Sequence, residues 1–415
     1  MIFLIKNKNS TVKGVVNLPT SKSISNRLLI MSALTYFRLV PRGLSESDDT
    51  TVMLDILHST SSEHNVQHAG TAMRFLTAYF ACKPGEVILT GSERMKNRPI
   101  GVLVDLLSEI GAKIEYKGKE GFPPLKISGG KLKGGKRTIN SEVSSQFISA
   151  LLLIGPYLQG GLELTLKGNM VSASYINLTL QLMKRAGIRY TWNKNHIKIE
   201  EGSYQAGVFH VEPDWSAASY WYEMAALAKK ADIFIKGLKS DSLQGDSALA
   251  TIFETLGVRT VFEENGVNLI KTKTVSDFLE YDFTLNPDLV QTLVPVCVLQ
   301  NIPFRFSGTQ TLRIKETDRI LALHNEMKKF GVHINYGESG EWIEWDGKSL
   351  FISKKSVLIN TYDDHRMAMG FAPICMRTGD IMINDPMVVT KSYPGYWVDL
   401  KNTGFEVEEN IQYPG

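Results

Sequence analysis

One mark of punctuation recurs along this chain and limits what it can fold into. An amphipathic helical stretch ends at a glycine and passes at once into a strand-like run. It reads Leu106-Leu107-Ser108-Glu109-Ile110-Gly111 then Ala112-Lys113-Ile114-Glu115-Tyr116, and again Leu182 to Gly187 then Ile188-Arg189-Tyr190. Further copies run Phe253 to Gly257 then Val258 to Val261, Met327 to Gly331 then Val332-His333-Ile334, and Leu400 to Gly404 then Phe405-Glu406-Val407. The glycines are spaced by 76, 70, 74 and 73 residues. Glycine just past a helix suits the left-handed position that ends it, and the β-branched and aromatic residues that follow favour extended backbone.

Such a period is too long for a solenoid repeat and suits a compact α/β unit of two helices and several strands, repeated and packed in two groups. A sixth copy is expected where Thr50 to Leu57 begins like the other helices. It then runs into His58-Ser59-Thr60-Ser61-Ser62-Glu63-His64-Asn65 with no terminal glycine, so this copy reads as shortened. At 415 residues the chain exceeds what one hydrophobic core usually fills, which also calls for two domains. The natural boundary lies near Glu212-Pro213-Asp214, before a helix expected over Ala217 to Lys229.

Charge and cysteine content exclude several functions. Lys+Arg number 46 against 43 Asp+Glu, a formal net charge of +3, without the basic excess of a nucleic-acid or membrane-surface binder. Cys82, Cys297 and Cys375 are far apart and form no CxxC, which fits a reducing compartment, no disulfide framework and no cysteine metal site. The longest apolar run, Phe147 to Leu158, is broken by Ser149 and Gly155-Pro156 and is too short to span a bilayer. Ile2 to Ile5 is too short for a signal-peptide core, so the expected location is the cytoplasm.

Several helix starts combine small or hydroxyl residues with a cation. Leu18-Pro19-Thr20-Ser21-Lys22-Ser23-Ile24-Ser25-Asn26-Arg27 precedes an apolar helix and lacks the glycines of a Walker A loop. Ala69-Gly70-Thr71-Ala72-Met73-Arg74 feeds another, Arg94 to Ile100 adds a cationic cluster, and Ser144-Ser145-Gln146 opens a third. The second half contributes Asn286-Pro287-Asp288, Lys315-Glu316-Thr317-Asp318-Arg319, Asp364-His365-Arg366-Met367-Ala368-Met369, and Lys391. His365 has no second ligand at helical spacing and reads as a packing or capping residue. Free N–H groups and the helix dipole favour anions at such starts. If they share one cleft, Lys22, Arg27, Arg74, Arg98, Lys315, Arg319, Arg366 and Lys391 converge on a polyanionic substrate, with Asp288 and Glu316 as proton-transfer candidates.

These strings, in this order and over essentially the whole chain, resemble the EPSP synthases (3-phosphoshikimate 1-carboxyvinyltransferases) of the enolpyruvyl transferase family. The resemblance implies a two-domain inside-out α/β barrel, each domain of three βαβαββ repeats. Residues 20–213 would form one domain and residues 1–19 with 214–415 the other, with the active site in the interdomain cleft. The implied reaction moves the enolpyruvyl group of phosphoenolpyruvate to the 5-hydroxyl of shikimate 3-phosphate and releases phosphate, in chorismate and aromatic amino-acid biosynthesis. It needs no cofactor, metal, nucleic acid or membrane, and a monomer is expected. Carried over by motif, Ser23, Arg27, Ser144, Ser145, Ser172, Tyr175, Asp288 and Lys315 would hold shikimate 3-phosphate. Lys22, Gly70, Arg98, Gln146, Arg319, Arg366 and Lys391 would hold phosphoenolpyruvate. Asp288 would accept the 5-hydroxyl proton, and Glu316, assisted by Lys22, would handle the proton at the methylene carbon.

The sequence departs from the family pattern at Thr20, His68, Phe75 and Thr311, and in the shortened segment 57–67, without losing a charged catalytic residue. Glyphosate is the inhibitor associated with this family. The competing expectations are the sister enzyme that uses UDP-N-acetylglucosamine, whose Lys-Asn pair and loop cysteine are missing here, and a non-catalytic relative, which would lack Asp288 or Glu316.

Overall fold

The computed structural model describes residues 1–140, 144–168, 170, 172–348 and 356–409. The chain packs into two compact units, one spanning Thr20–Val211 and a discontinuous one that joins Met1–Pro19 to the chain from Glu212 onward.

Among the described residues, each unit has three helices that are almost wholly buried on every face. In the Thr20–Val211 unit they are Lys22–Leu34, Gly70–Ala81 and Ser145–Ile154. In the discontinuous unit they are Trp215–Leu227, Val290–Leu299 and His365–Phe371. Within each unit these three pack against one another. A second set of helices, including Ala173–Arg185 and Arg319–Lys328, is amphipathic and buries one face.

Among the described residues, six sheets lie around the helices. Five have four strands in one spatial order, two parallel strands and then an antiparallel pair. In three of them a buried helix joins the parallel strands and the antiparallel pair is a hairpin. In the other two, Thr11–Val16 reaches Lys230–Lys236 only through the whole Thr20–Val211 unit, and Ile2–Lys6 pairs with Glu406–Glu408 from a distant part of the chain. The sixth has only Gly207–His210 parallel to Leu39–Arg42, with Val208 opposite Val40. It is the shortened copy: the helix Asp48–His58 is followed by a polar stretch where other repeats place a hairpin. The discontinuous unit is sewn to the N-terminus through its sheets. Lys230–Lys236 runs parallel to Thr11–Val16, with Ile233 opposite Gly14, and Ile2–Lys6 lies between Ile381–Asn384 and Glu406–Glu408.

The repeat glycines all take the left-handed conformation, with φ of +102°, +86°, +82°, +74° and +105° at Gly111, Gly187, Gly257, Gly331 and Gly404. Helix starts differ from the sequence expectation in a useful way. The first buried helix begins at Lys22, capped by Ser21, so Lys22, Ser23 and Arg27 sit on its opening turns rather than before it. The Trp215–Leu227 helix starts before Ala217 because Asp214 accepts from the Ser216 N–H at 2.9 Å. Its last carbonyls accept from Gln300 Nε2 at 2.9 Å, Arg377 Nε at 2.7 Å and Lys271, which satisfies groups a buried helix end would otherwise strand.

At Gly257 an added Cβ would stand 2.9 Å from the Thr272 carbonyl oxygen. Gly257→Ala is expected to cost at least about 1–2 kcal/mol through the left-handed backbone alone. Urea unfolding of the full chain measures it, and an unchanged midpoint would contradict the assignment of this glycine as an obligatory helix stop.

Candidate active site

In the discontinuous unit a single arginine gathers the acids. Arg319, the first residue of its helix, is 1% exposed, and its guanidinium reaches three carboxylates. Nε and Nη2 donate to Asp364 at 2.7 and 3.2 Å, Nη1 to Asp288 at 2.9 Å, and Nη2 also to Glu316 at 2.9 Å. Asp364 is fully buried and caps the His365–Phe371 helix through the Arg366 N–H. Burial disfavours the Arg319 charge, but the three acids outweigh it and hold the group firmly protonated.

The less buried side chains stand around this pair. Asp288 lies in the one-turn helix Pro287–Leu289 that leads into Val290–Leu299. Its carboxylate also meets Lys315 at 3.5 Å and Arg366 at 3.1 Å. Glu316 meets Lys391 at 3.2 Å. Burial pushes the Asp288 carboxyl upward, but Arg366, Lys315 and Arg319 together hold it well below the usual carboxylate range. Asp288, Lys315, Glu316, Arg319, Arg366 and Lys391, predicted from separate segments, therefore form one connected ionic network.

The Thr20–Val211 unit is arranged differently. Arg27 is buried, yet its partners are neutral: Thr179 Oγ1 at 2.7 Å, the Ser23 carbonyl at 2.7 Å, and Ser149 Oγ and the Tyr175 carbonyl, each at 3.2 Å. Burial draws its pKa down to about 10, which leaves it charged at neutral pH. Phe75 packs under this guanidinium at 5.4 Å, so the departure from the family pattern has become part of the arginine's support. Lys22 faces Asp49 at 3.6 Å.

At the next helix start, an added Cβ on Gly70 would stand 2.6 Å from Arg98 Nη1 and 2.8 Å from Arg74 Nη1, so only glycine lets both guanidiniums lie against the backbone. Arg74 Nη1 donates to the Gly70 carbonyl at 2.9 Å. Gln146 Nε2 donates to Thr71 Oγ1 at 3.2 Å, which ties the third buried helix to the second, while Ser144 caps that third helix. Ser145 is buried beside it. Ser172, also buried, takes φ +56° at a helix start without using its hydroxyl as a cap. Left-handed backbone at a non-glycine residue is a strained arrangement typical of functional positions. His68 pairs with Ser92 at 2.9 Å on the surface, and the Thr311 hydroxyl is buried without a hydrogen-bond partner among the described residues.

Three site residues escaped the sequence reading. Asp364 stood in a quoted string but not among the predicted site residues, although its position as an N-cap signalled a carboxylate at that helix start. Asp49 gave no signal, since an acid early in a helix is ordinary. Asp246 lies buried in the turn Gly245–Ala248 with Ser216 Oγ donating to it. Burial, reinforced by nearby Asp288, raises its carboxyl to about 6.

Two measurements follow. Asp364→Asn leaves Arg319 without its buried counter-charge and should cost on the order of 3–5 kcal/mol in chemical unfolding; a loss below about 1 kcal/mol would mean that Asp288 and Glu316 suffice. For Asp246 the folded pKa lies above the unfolded value, so its protonated form stabilises the native state below about pH 4 and that contribution is lost as pH rises through about 6. Asp246→Asn should therefore gain on the unmodified chain between pH 4 and 7, by up to roughly 3 kcal/mol, and a pH-independent difference would refute the shift.

Comparison with known proteins gives the family. The family model for EPSP synthase (3-phosphoshikimate 1-carboxyvinyltransferase) matches residues 6–65 and 59–400. The chain is 50% identical over 400 residues to a 3-phosphoshikimate 1-carboxyvinyltransferase of Bacteroides fragilis, covering 96% of this chain and 97% of that one. It is 37% identical over 422 residues to the protein of that name from Idiomarina loihiensis, covering 94% and 96%. Among solved structures, an EPSP synthase from Acinetobacter baumannii superposes with a TM-score of 0.77 at 23% identity, covering 98% of this chain and all of that one.

Proposed function

Because this chain belongs to the EPSP synthase family, we propose that it transfers the enolpyruvyl group of phosphoenolpyruvate to the 5-hydroxyl of shikimate 3-phosphate, giving 5-enolpyruvylshikimate 3-phosphate and phosphate. The observation that carries the reading is the network centred on Arg319, because the reaction needs cations for two doubly functionalised anions and carboxyl groups for two proton transfers. Each substrate brings a phosphate and a carboxylate, and arginine binds both bidentately.

The assignment of roles follows the chemistry. Ser23, Arg27, Ser144, Ser145, Ser172, Tyr175, Asp288 and Lys315 receive shikimate 3-phosphate. Lys22, Gly70, Arg98, Gln146, Arg319, Arg366 and Lys391 receive phosphoenolpyruvate. The two compact units serve as the two domains of the reaction, each supplying part of both sets. Arg27, charged and buried among neutral acceptors, is suited to an anion supplied from outside.

Asp288 is ionised in the free protein, as a base must be, but its cationic neighbours also make it a weak one. Substrate anions that engage Arg366, Arg319 and Lys315 relieve that field, so the basicity of Asp288 rises as the site fills. The shikimate 5-hydroxyl can then lose its proton to Asp288 as its oxygen attacks the central carbon of phosphoenolpyruvate. Glu316, paired with Arg319 and Lys391 in the free protein, takes up a proton as the substrate anions engage those cations. It delivers that proton to the methylene carbon and takes one back as phosphate leaves the tetrahedral intermediate, while Asp288 gives up the 5-hydroxyl proton to the departing phosphate. Lys22 assists Glu316 in this proton transfer. The chain is read as a monomer acting in the cytoplasm, and no described helix is long and apolar enough to cross a membrane.

Phosphate release from phosphoenolpyruvate, measured with shikimate 3-phosphate and in parallel with UDP-N-acetylglucosamine, tests the assignment. Turnover is expected only with the first acceptor, and turnover only with the second would overturn it. Glu316→Gln should lower kcat by about 100-fold or more with little change in KM; near-normal kcat would remove Glu316 from proton transfer.

A further inference from the structure

The shortened repeat leaves a feature that the reaction does not use. Residues 59–61, which stand where other repeats form a hairpin, rim a cavity of about 320 Å³ within the Thr20–Val211 unit. Its walls are aromatic: Tyr36, Phe37, His64, Tyr79 and Phe80, with Lys83 at the edge. Tyr36 and Phe37 follow the Lys22–Leu34 helix, while Tyr79, Phe80 and Lys83 come from the end of the Gly70–Ala81 helix. The cavity thus sits at the far ends of two helices whose first turns carry Lys22 and Gly70. A helix of 13 residues separates it from Lys22 by about 20 Å.

Three observations point to a ligand. First, Tyr36 and Phe37 both take left-handed backbone, φ +53° and +62°, which is costly for bulky residues and turns both rings toward the cavity lining. Tyr36 is 76% exposed and Phe37 42%, so aromatic surface is held open to solvent rather than buried. Second, the rings are fixed by their neighbours. Phe37 stacks on His58 at 4.6 Å and His64 lies flat on Phe80 at 5.6 Å with 3° between planes.

Third, Lys83 is the single formally charged residue of the lining. Its ammonium lies 4.1 Å from the Tyr36 ring centroid and 5.6 Å from that of Tyr79, with no carboxylate partner among the described residues. Burial lowers the His64 pKa, so the imidazole adds no competing charge at neutral pH.

We propose that this cavity binds a small aromatic carboxylate, its ring lodged among Tyr36, Phe37, Tyr79 and Phe80 and its carboxylate paired with Lys83. The volume suits a single-ring ligand, aromatic walls favour a planar ring over a flexible chain, and the lone ammonium sets the sign of the charge. The site is separate from the ionic network of the other unit and from the helix starts that hold the proposed substrates.

The test is calorimetric titration of the full chain with 4-hydroxybenzoate, with benzyl alcohol and cyclohexanecarboxylate as uncharged and non-aromatic comparisons. Saturable binding of 4-hydroxybenzoate is expected, at least about 10-fold tighter than either comparison, and about 10-fold weaker in Lys83→Met. Tyr36→Ala, at an exposed side chain with no core role, should also weaken binding while leaving the melting temperature unchanged. Saturating phosphoenolpyruvate and shikimate 3-phosphate should leave the affinity as it was. The proposal fails if no saturation appears below about 10 mM, if both variants bind as the unmodified chain does, if benzyl alcohol binds equally, or if the substrates compete.

Discussion

The pairing of Arg319 with Asp364 is the interaction on which the site in the discontinuous unit depends. A guanidinium taken out of water is costly unless its charge and its donors are matched, and here three carboxylates match them. Asp288 and Glu316 belong to one repeat and Asp364 to the next. Asp288 precedes the Val290–Leu299 helix, Glu316 precedes Arg319 itself, and Asp364 caps the His365–Phe371 helix. Satisfying one buried arginine therefore fixes the mutual placement of three helix starts. Lys315, Arg366 and Lys391 are then positioned by the acids that Arg319 has already placed.

The two units solve the same electrostatic problem in opposite ways. Around Arg319 the cations are paired with the protein's own acids, which keeps Asp288 ionised in the absence of substrate. Around Arg27 the partners among the described residues are hydroxyls and carbonyls, which satisfy donors without supplying a counter-charge. A formal net charge of +3 conceals both arrangements, because it averages a network of four cations and three carboxylates with a buried cation held by neutral groups. Under the proposed function, anionic substrates pair directly with the second arrangement and enter the first by exchange with Asp288 and Glu316.

Much of this was legible beforehand, for identifiable reasons. The glycine after each helix needs no tertiary partner to be recognised, since left-handed backbone is a local requirement, and all five copies adopt it. The missing glycine of the remaining copy likewise announced a shortened repeat, seen as a two-stranded sheet. The cations stood out because capping alone did not explain them. What stayed hidden were groups whose role depends on a neighbour distant in sequence. Asp49 becomes notable only beside Lys22, Asp246 only beside Asp288, and Phe75 only beneath Arg27. The aromatic cavity belongs to the same class, since Tyr36 and Lys83 are ordinary residues until the helix ends bring them together.

By itself, the sequence determined the repeated α/β unit, the helix starts that carry the site, the six motif strings and, through them, the family. Those are properties of short segments, governed by backbone conformation, periodicity and residue type. The tertiary structure alone decided which charges are matched: Arg319 by three acids, Arg27 by none among the described residues. Ionisation, hydrogen bonding and desolvation depend on distances of a few ångströms between residues tens or hundreds of positions apart. Only packing sets those distances.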